Sequence, residues 1–178
     1  MTKRHKVFLC FHHENDENYK NQFEQKFGSL YVSKSVEIGD IDPNLKTETI
    51  RRKIRDEYLR DSTVTVVLVG KETWKRKHVD WEISSSIRHT QYNPRSGLLG
   101  LILPTHPNFS TETYDPHIIP PRLYDNIECG FAKIYNWTDD VSTIEQRIHD
   151  AFQRKDKILP DNSRLLFKNN RSGDKWQD

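Results

Sequence analysis

Cysteine is scarce in this chain, whose 178 residues include only Cys10 and Cys129. Cys10 falls inside a predicted buried strand, so we expect no disulfide and a cytoplasmic location, where thiols stay reduced. Long hydrophobic runs are also missing, because no stretch approaches the roughly 18 apolar residues that span a bilayer. The basic N-terminus leads into a short apolar stretch that ends at His12 and His13, so we expect no signal peptide.

Neither sign of charge is in excess, since 28 Lys and Arg residues balance 26 Asp and Glu residues. This balance gives no electrostatic reason to expect a nucleic acid or a membrane as a partner. Hydrophobic residues make up 34% of the chain, which is low, so the core must come from concentrated segments. We expect one domain over residues 1–155 and a polar C-terminal tail over residues 156–178 that is partly docked or flexible.

Several familiar motifs are absent from the sequence. It has no G-x-G-x-x-G after its first strand, no G-x-x-x-x-G-K-[ST] and no G-x-S-x-G, which argues against a Rossmann cofactor site, a P-loop and a nucleophile elbow. A phospho-acceptor receiver domain would need acidic residues where its first and third strands end. Here those ends read Phe11-His12-His13 and Val69-Gly70, so receiver function is disfavoured.

Eight histidines raise the question of a metal site. His78 and Glu82 share one face of a predicted helix, and His12 or His13 could add a third ligand. Zinc sites usually have a tighter and more complete ligand spacing. We therefore expect no metal ion, and hydrogen bonding at a strand end is the commoner role for His12 and His13.

The most informative segment is a strand followed by a helix. Thr63–Val69 is an almost unbroken β-branched run, which is typical of a strand buried on both faces of a parallel sheet. A polar loop follows, and then Val79, Ile83 and Ile87 recur at four-residue spacing on one stripe of a helix. Trp81 lies about 200° around this helix from Val79, so we expect it to be exposed, where it could anchor an interface.

Glu82 lies about 60° from Val79 on the same helix, at the border of the apolar stripe. Ligands of open α/β sheets bind beyond the carboxyl ends of the strands, where this helix begins. The position therefore predicts a reactive carboxylate at the mouth of a cleft. The alternative is structural, because a Glu near a helix N-terminus favours the helix dipole without any function.

The remaining pattern alternates strands with helices, which predicts a flavodoxin-like, three-layer α/β fold. Its five parallel strands, in the order 2-1-3-4-5, carry helices on both faces. The other strands are predicted at Lys6–Phe11, Leu30–Val36, Leu98–Leu103 and Phe131–Trp137. The other helices are predicted at Asp16–Phe27, at Thr47–Arg60 and after a capping box formed by Ser142 and Glu145. Long loops are predicted at Glu37–Leu45 and Thr105–Glu128.

Two segments resemble TIR domains, and most of all the TIR-like proteins of the bacterial Thoeris anti-phage system. The first combines the strand that ends at Gly70 with Thr73-Trp74, basic residues and Val79-x-x-Glu82-Ile83. The second is the first strand, Val7-Phe8-Leu9-Cys10-Phe11-His12, which is similar to the phenylalanine- and histidine-ending first strand of those proteins. The resemblance covers residues 6–103 and is weak beyond them.

The resemblance implies an NAD-consuming enzyme of the NAD glycohydrolase or ADP-ribosyl cyclase type, with NAD as substrate rather than cofactor. It would cleave the nicotinamide–ribose bond and make an ADP-ribose-derived, cyclic signalling nucleotide. The product would act on a separate downstream effector after an unknown phage trigger, and self-association is expected.

The resemblance also implies roles for individual residues. Glu82 would be catalytic, Phe11 and His12 would form the floor at the first strand, and the loop with Gly39 and Asp40 would border the site. The aromatic contact to nicotinamide would come from one of two residues, Trp74 or His78. His78 stands where NAD-consuming TIR domains commonly carry Trp, which is a departure from the family pattern.

Two other functions remain open at the level of sequence. TIR domains also serve as interaction modules without turnover. A nucleoside deoxyribosyltransferase-like enzyme likewise uses a glutamate on a flavodoxin-like sheet.

Overall fold

The computed structural model describes residues 4–29, 31–34, 42 and 44–178, which contain a sheet of five parallel strands. The strand order is 2-1-3-4-5, as predicted, so the first and third strands are neighbours at the point where the order reverses. The strands are β1 (His5–Cys10), β2 (Tyr31–Lys34), β3 (Val64–Val69), β4 (Gly97–Ile102) and β5 (Ala132–Asn136).

Five α-helices cover the sheet within the described ranges. They are α1 (Glu17–Phe27), α2 (Thr47–Lys53), α3 (Lys77–Ser86), α4 (Pro121–Glu128) and α5 (Val141–Arg154). A π-helical turn, Ile54–Tyr58, continues α2, and a 3-10 turn, Thr73–Lys75, precedes α3. None of the described helices is both long and apolar enough to cross a membrane.

Side chains alternate between two hydrophobic clusters, one on each face of the sheet. On β1, Phe8 and Cys10 join the cluster that includes α2, α3 and α4, whereas Val7 and Leu9 join the cluster that includes α1 and α5. All six residues of β3 are buried, because both of its faces are covered. The predicted three-layer fold is therefore confirmed.

The predicted loop Thr105–Glu128 is wrong at its end, since α4 occupies Pro121–Glu128. Proline suits the first turn of a helix, where its missing N–H is not needed. An apolar stripe does not mark this helix in the sequence, because the buried face of α4 carries the polar residues Arg122 and Asn126 beside Leu123. The predicted capping box is also wrong, because Asp140 caps α5 by accepting a hydrogen bond from the N–H of Thr143 at 2.8 Å.

The tail, residues 156–178, lies against α3, α4 and the segment before α4. The indole N–H of Trp176 donates to the carbonyl oxygen of Ile119 at 2.8 Å. The side chain of Asn162 donates to the carbonyl oxygen of Ser84 on α3 at 3.0 Å. Nearer the start of α3, the side-chain oxygen of Asn170 accepts a hydrogen bond from the N–H of Lys77 at 2.9 Å.

Candidate active site

Helix α3, which carries Glu82, is buried on all sides from Val79 to Ser86. The sequence predicted an exposed side for this helix, and that prediction is wrong at Trp81, which is only 3% exposed. The tail covers that side, where the indole N–H of Trp81 donates to the carbonyl oxygen of Phe167 at 2.8 Å. Trp81 is therefore a core residue and cannot anchor an interface in this arrangement.

Glu82 lies inside the protein, with 1% of its surface exposed, so its predicted place at the mouth of a cleft is wrong. Neither carboxyl oxygen meets hydrogen-bond geometry with any described residue. Burial raises the pKa of Glu82 from 4.5 to about 8, because removing water disfavours the charged form. A buried carboxyl group with such a pKa is typical of functional sites.

The thiol of Cys10 faces the same helix from β1. Its sulfur lies 3.8 Å from the carbonyl oxygen of Val79, one turn before Glu82. Burial and the adjacent charge of Glu82 raise the pKa of the Cys10 thiol well above its usual value, while the thiol lowers the pKa of Glu82 against the effect of burial. Cys10 is thus a neutral, weakly polar neighbour of the carboxyl group.

Three rings form a row where β1 ends. The ring of Phe11 lies 4.6 Å from that of His13, and the ring of His13 lies 4.6 Å from that of His78, between centroids. The Nε2 atom of His78 lies 3.1 Å from the carbonyl oxygen of Phe11. Because a carbonyl oxygen only accepts, Nε2 carries the hydrogen. Burial lowers the pKa of His78 to about 4, so this ring is neutral near physiological pH.

The other predicted site residues lie in different places. His12 is buried at the end of β1, where its Nδ1 accepts a hydrogen bond from the N–H of Asn15 at 3.2 Å, and burial lowers its pKa. Trp74, in contrast, is 2% exposed and lines a narrow void between α3 and α4. This leaves His78 as the better placed of the two candidate aromatic contacts. Gly39 and Asp40 lie outside the described residues.

The sequence did not predict a role for Asp16, which is 1% exposed and begins α1 at the carboxyl edge of the sheet. As an acidic residue before a helix it looks like a cap, yet it makes no side-chain capping bond. One carboxyl oxygen lies 3.4 Å from the hydroxyl of Thr105, and the other has no described partner. Burial raises the pKa of Asp16. A second buried carboxyl group therefore lies at this edge, against Gly70.

Within the ranges that the structure describes, no three His, Cys, Asp or Glu side chains are grouped closely enough to hold a metal ion. Glu82 has a thiol as its neighbour, and His78 has a carbonyl oxygen and an imidazole ring. The geometry favours chemistry that uses a carboxyl group and a neutral ring.

Comparison with protein families identifies the family of this chain. The family described as Thoeris protein ThsB, TIR-like domain, matches residues 8–108, which include the second half of β1 and all of β3, α3 and β4. The matched segment thus contains Glu82 and His78. No curated protein matches the chain.

Proposed function

The chain belongs to the Thoeris ThsB TIR-like domain family and so has a role in Thoeris defence, and from this premise we propose that it consumes NAD. It cleaves the bond between nicotinamide and ribose and makes an ADP-ribose-derived, cyclic nucleotide that signals to a downstream effector once a phage trigger is present. The observation that supports this proposal best is the buried carboxyl group of Glu82, one helical turn along α3 from His78, whose ring belongs to the row at the end of β1.

The reaction suits a single carboxylate. When the bond between ribose C1 and the pyridinium nitrogen breaks, its electron pair goes to nicotinamide, which leaves as a neutral molecule. Positive charge develops on the ribose, as in the oxocarbenium-like transition states of glycoside hydrolysis. An ionised Glu82 stabilises that charge. A hydroxyl group of the same molecule then attacks C1 and releases a proton, which closes a cyclic product; water in its place gives ADP-ribose.

The pKa of Glu82 links substrate binding to ionisation. With a pKa of about 8, the carboxyl group is mostly protonated near neutral pH in the free protein. A bound pyridinium cation favours the carboxylate form, because an opposite charge within about 4–6 Å lowers the pKa of an acid. Binding of NAD is therefore expected to expel a proton from Glu82 and to create the charge that the transition state needs.

The ring of His78 suits a cationic substrate for a related reason. Its pKa of about 4 keeps it neutral, and a neutral ring can stack on a pyridinium without repulsion. His78 is held by its bond to Phe11 and by contact with His13. An imidazole in this position can therefore replace the aromatic residue that the family usually carries.

The test is Glu82→Gln, assayed for nicotinamide release from NAD in the triggered state. The amide keeps the shape but lacks the charge, so we expect turnover to fall by about 100- to 1,000-fold while NAD analogues still bind. Glu72→Gln is the matched control, because Glu72 lies in the turn before α3 and its side chain is 41% exposed. Near wild-type release from Glu82→Gln, or an equal loss in both variants, would end this assignment.

A non-catalytic interaction module is the second candidate, and the complete burial of Glu82 favours it. In that case Glu82→Gln leaves the biological effect intact wherever the protein is folded.

A deoxyribosyltransferase-like activity is separated by incubating the same protein with deoxynucleosides. Chromatography of the products then distinguishes base exchange from nicotinamide release.

A further inference from the structure

A cavity of about 320 Å³ opens at the amino edge of the sheet, on the far side from the site of Glu82. It is formed where the chain enters β1, β3 and β4, beside the π-helical turn after α2. Its volume is in the range of small-molecule sites. Five cationic side chains and one acidic side chain line it: Arg4, Lys6, Arg55, Arg95, Lys155 and Asp61.

Arg55 is the deepest of these cations, with 1% of its surface exposed. Its guanidinium group donates to two neutral acceptors, the hydroxyl of Ser96 at 3.0 Å and the carbonyl oxygen of Pro94. Burial opposes the cationic form and lowers the pKa of Arg55 to about 10, while the charges of Asp56 and Asp61 favour that form. Burying a guanidinium group that donates to neutral acceptors is costly, and a bound anion would offset that cost. Arg55 also lies in a π-helical turn, a rare geometry that is frequent at functional sites.

Three residues that line this cavity each have a buried hydrogen-bond donor without a described partner. The Nε atoms of Arg55 and Arg95 are buried and have no described partner. The hydroxyl group of Ser62, a lining residue that is 3% exposed, also has none. Buried polar groups in proteins are usually satisfied, so three such groups around one cavity indicate a bound ligand. All three donate, and an oxyanion accepts.

The rim adds an aromatic surface. Tyr92 is 85% exposed and lines the same cavity, whereas large apolar surfaces are usually covered. An exposed ring beside a cationic cavity matches the way proteins hold nucleotides, with the base stacked on the ring and the phosphate on the cations. We propose that the amino edge of the sheet is a second site, which binds a mononucleotide through its phosphate group, and that this site is independent of the proposed NAD site.

The experiment is calorimetric titration of the full chain with three ligands in a phosphate-free buffer of low ionic strength. Uridine 5′-monophosphate carries both a base and a phosphate group, inorganic phosphate lacks the base, and uridine lacks the phosphate group. We expect saturable binding of the monophosphate that is tighter than that of either part. A pyrimidine nucleotide is chosen because it is not a part of NAD.

Variants locate the binding. Lys6→Gln and Arg95→Gln should each weaken binding of the monophosphate by about tenfold or more, since hydrogen bonds to charged groups are stronger than those between neutral groups. Lys53→Gln is the matched control, because Lys53 is exposed on α2 and does not line the cavity. Tyr92→Ala should weaken binding of the monophosphate by about fivefold or more but leave the affinity for inorganic phosphate unchanged.

Arg55 variants can fail to fold, so Ser62→Ala tests the deep part of the cavity instead. The hydroxyl has no partner in the unliganded protein, so this change should keep the fold and weaken the monophosphate by about two- to tenfold. The proposal is overturned if none of the three ligands binds saturably. It is also overturned if Lys53→Gln weakens binding as much as Lys6→Gln, or if the monophosphate binds no more tightly than phosphate.

Discussion

The guanidinium group of Arg122 on α4 holds both carboxylate oxygens of Asp80 on α3, at 2.8 and 3.3 Å. Both residues are buried, and the second oxygen of Asp80 also accepts a hydrogen bond from the N–H of Phe167 at 2.9 Å. This pair therefore joins the helix of Glu82 to α4 and to the tail. It lies one helical turn or less from Glu82 on the chain.

Asp80→Asn should leave the charge of Arg122 buried without its partner. Removing one member of a buried ion pair costs about 3–5 kcal/mol, so we expect the free energy of unfolding in urea to fall by that amount. Lys26→Gln is the control, because Lys26 pairs with Asp139 at the surface and an exposed pair contributes less than about 1 kcal/mol. Similar losses in the two variants would contradict the bracing role of Asp80.

The free energy of unfolding should depend on pH through the titration of Glu82. Between its ordinary pKa of 4.5 and its folded pKa of about 8, the folded chain holds this proton more tightly than the unfolded chain does. Protonated Glu82 therefore stabilises the folded chain in full below pH 4.5. This stabilisation falls by about 1.4 kcal/mol per pH unit as the pH rises from 4.5, and it is lost as the pH passes through about 8.

Glu82→Gln removes this titration and leaves the other groups in place. We expect wild type to lose stability relative to the variant as pH rises across that interval, measured by urea unfolding at several pH values. A constant difference between the two proteins would show that Glu82 does not titrate with a raised pKa.

The pH dependence of turnover should follow the same group rather than His78. If the carboxylate is the active form, kcat/KM for NAD rises with pH through about 8. The pKa of His78 is about 4, so its titration lies well outside this range. His78→Trp should then preserve turnover and leave the acid limb where it is. An acid limb near the ordinary histidine value of about 6.5 that disappears in His78→Trp would assign the limb to His78 instead.

Gly70→Ala tests the close approach of Asp16 to β3. A methyl group at Gly70 would lie 2.2 Å from one carboxyl oxygen of Asp16, too close for two unbonded atoms. We expect a loss of about 1–3 kcal/mol in unfolding free energy, the usual cost of overpacking. In an Asp16→Ala background the added methyl group should cost much less, which a double-mutant cycle measures. Additive losses would mean that Asp16 is not what excludes the side chain.

Local patterns were sufficient for much of the fold. The β-branched run Thr63–Val69 predicted a strand buried on both faces, and the four-residue spacing of Tyr19, Phe23 and Phe27 predicted α1. Alternation of strands and helices with a familiar topology then predicted the strand order. These signals succeed because the buried faces in question are continuous and apolar.

The failures have a common physical cause, which is burial by partners distant in sequence. Trp81 was expected at the surface, but its partner Phe167 is 86 residues away. Helix α4 was missed because its buried face contains Arg122, whose partner Asp80 is 42 residues away. Glu82 was placed at a border by its helix angle, and only the tertiary structure encloses it. A periodicity rule cannot detect a covering segment that is itself polar and irregular.

The tail is hydrogen-bonded to α3 at several points, and two of these bonds lie in the first turn and a half of the helix. Asn170 bonds the N–H of Lys77 at the first turn of α3, and the N–H of Phe167 bonds Asp80 less than one turn later. Releasing the tail breaks both bonds together and uncovers Trp81. In hydrogen exchange, the amides of α3 and of residues 165–171 should therefore share one opening free energy. Exposure of the side of α3 that carries Trp81 is then set by the detachment of a segment more than 80 residues further along the chain.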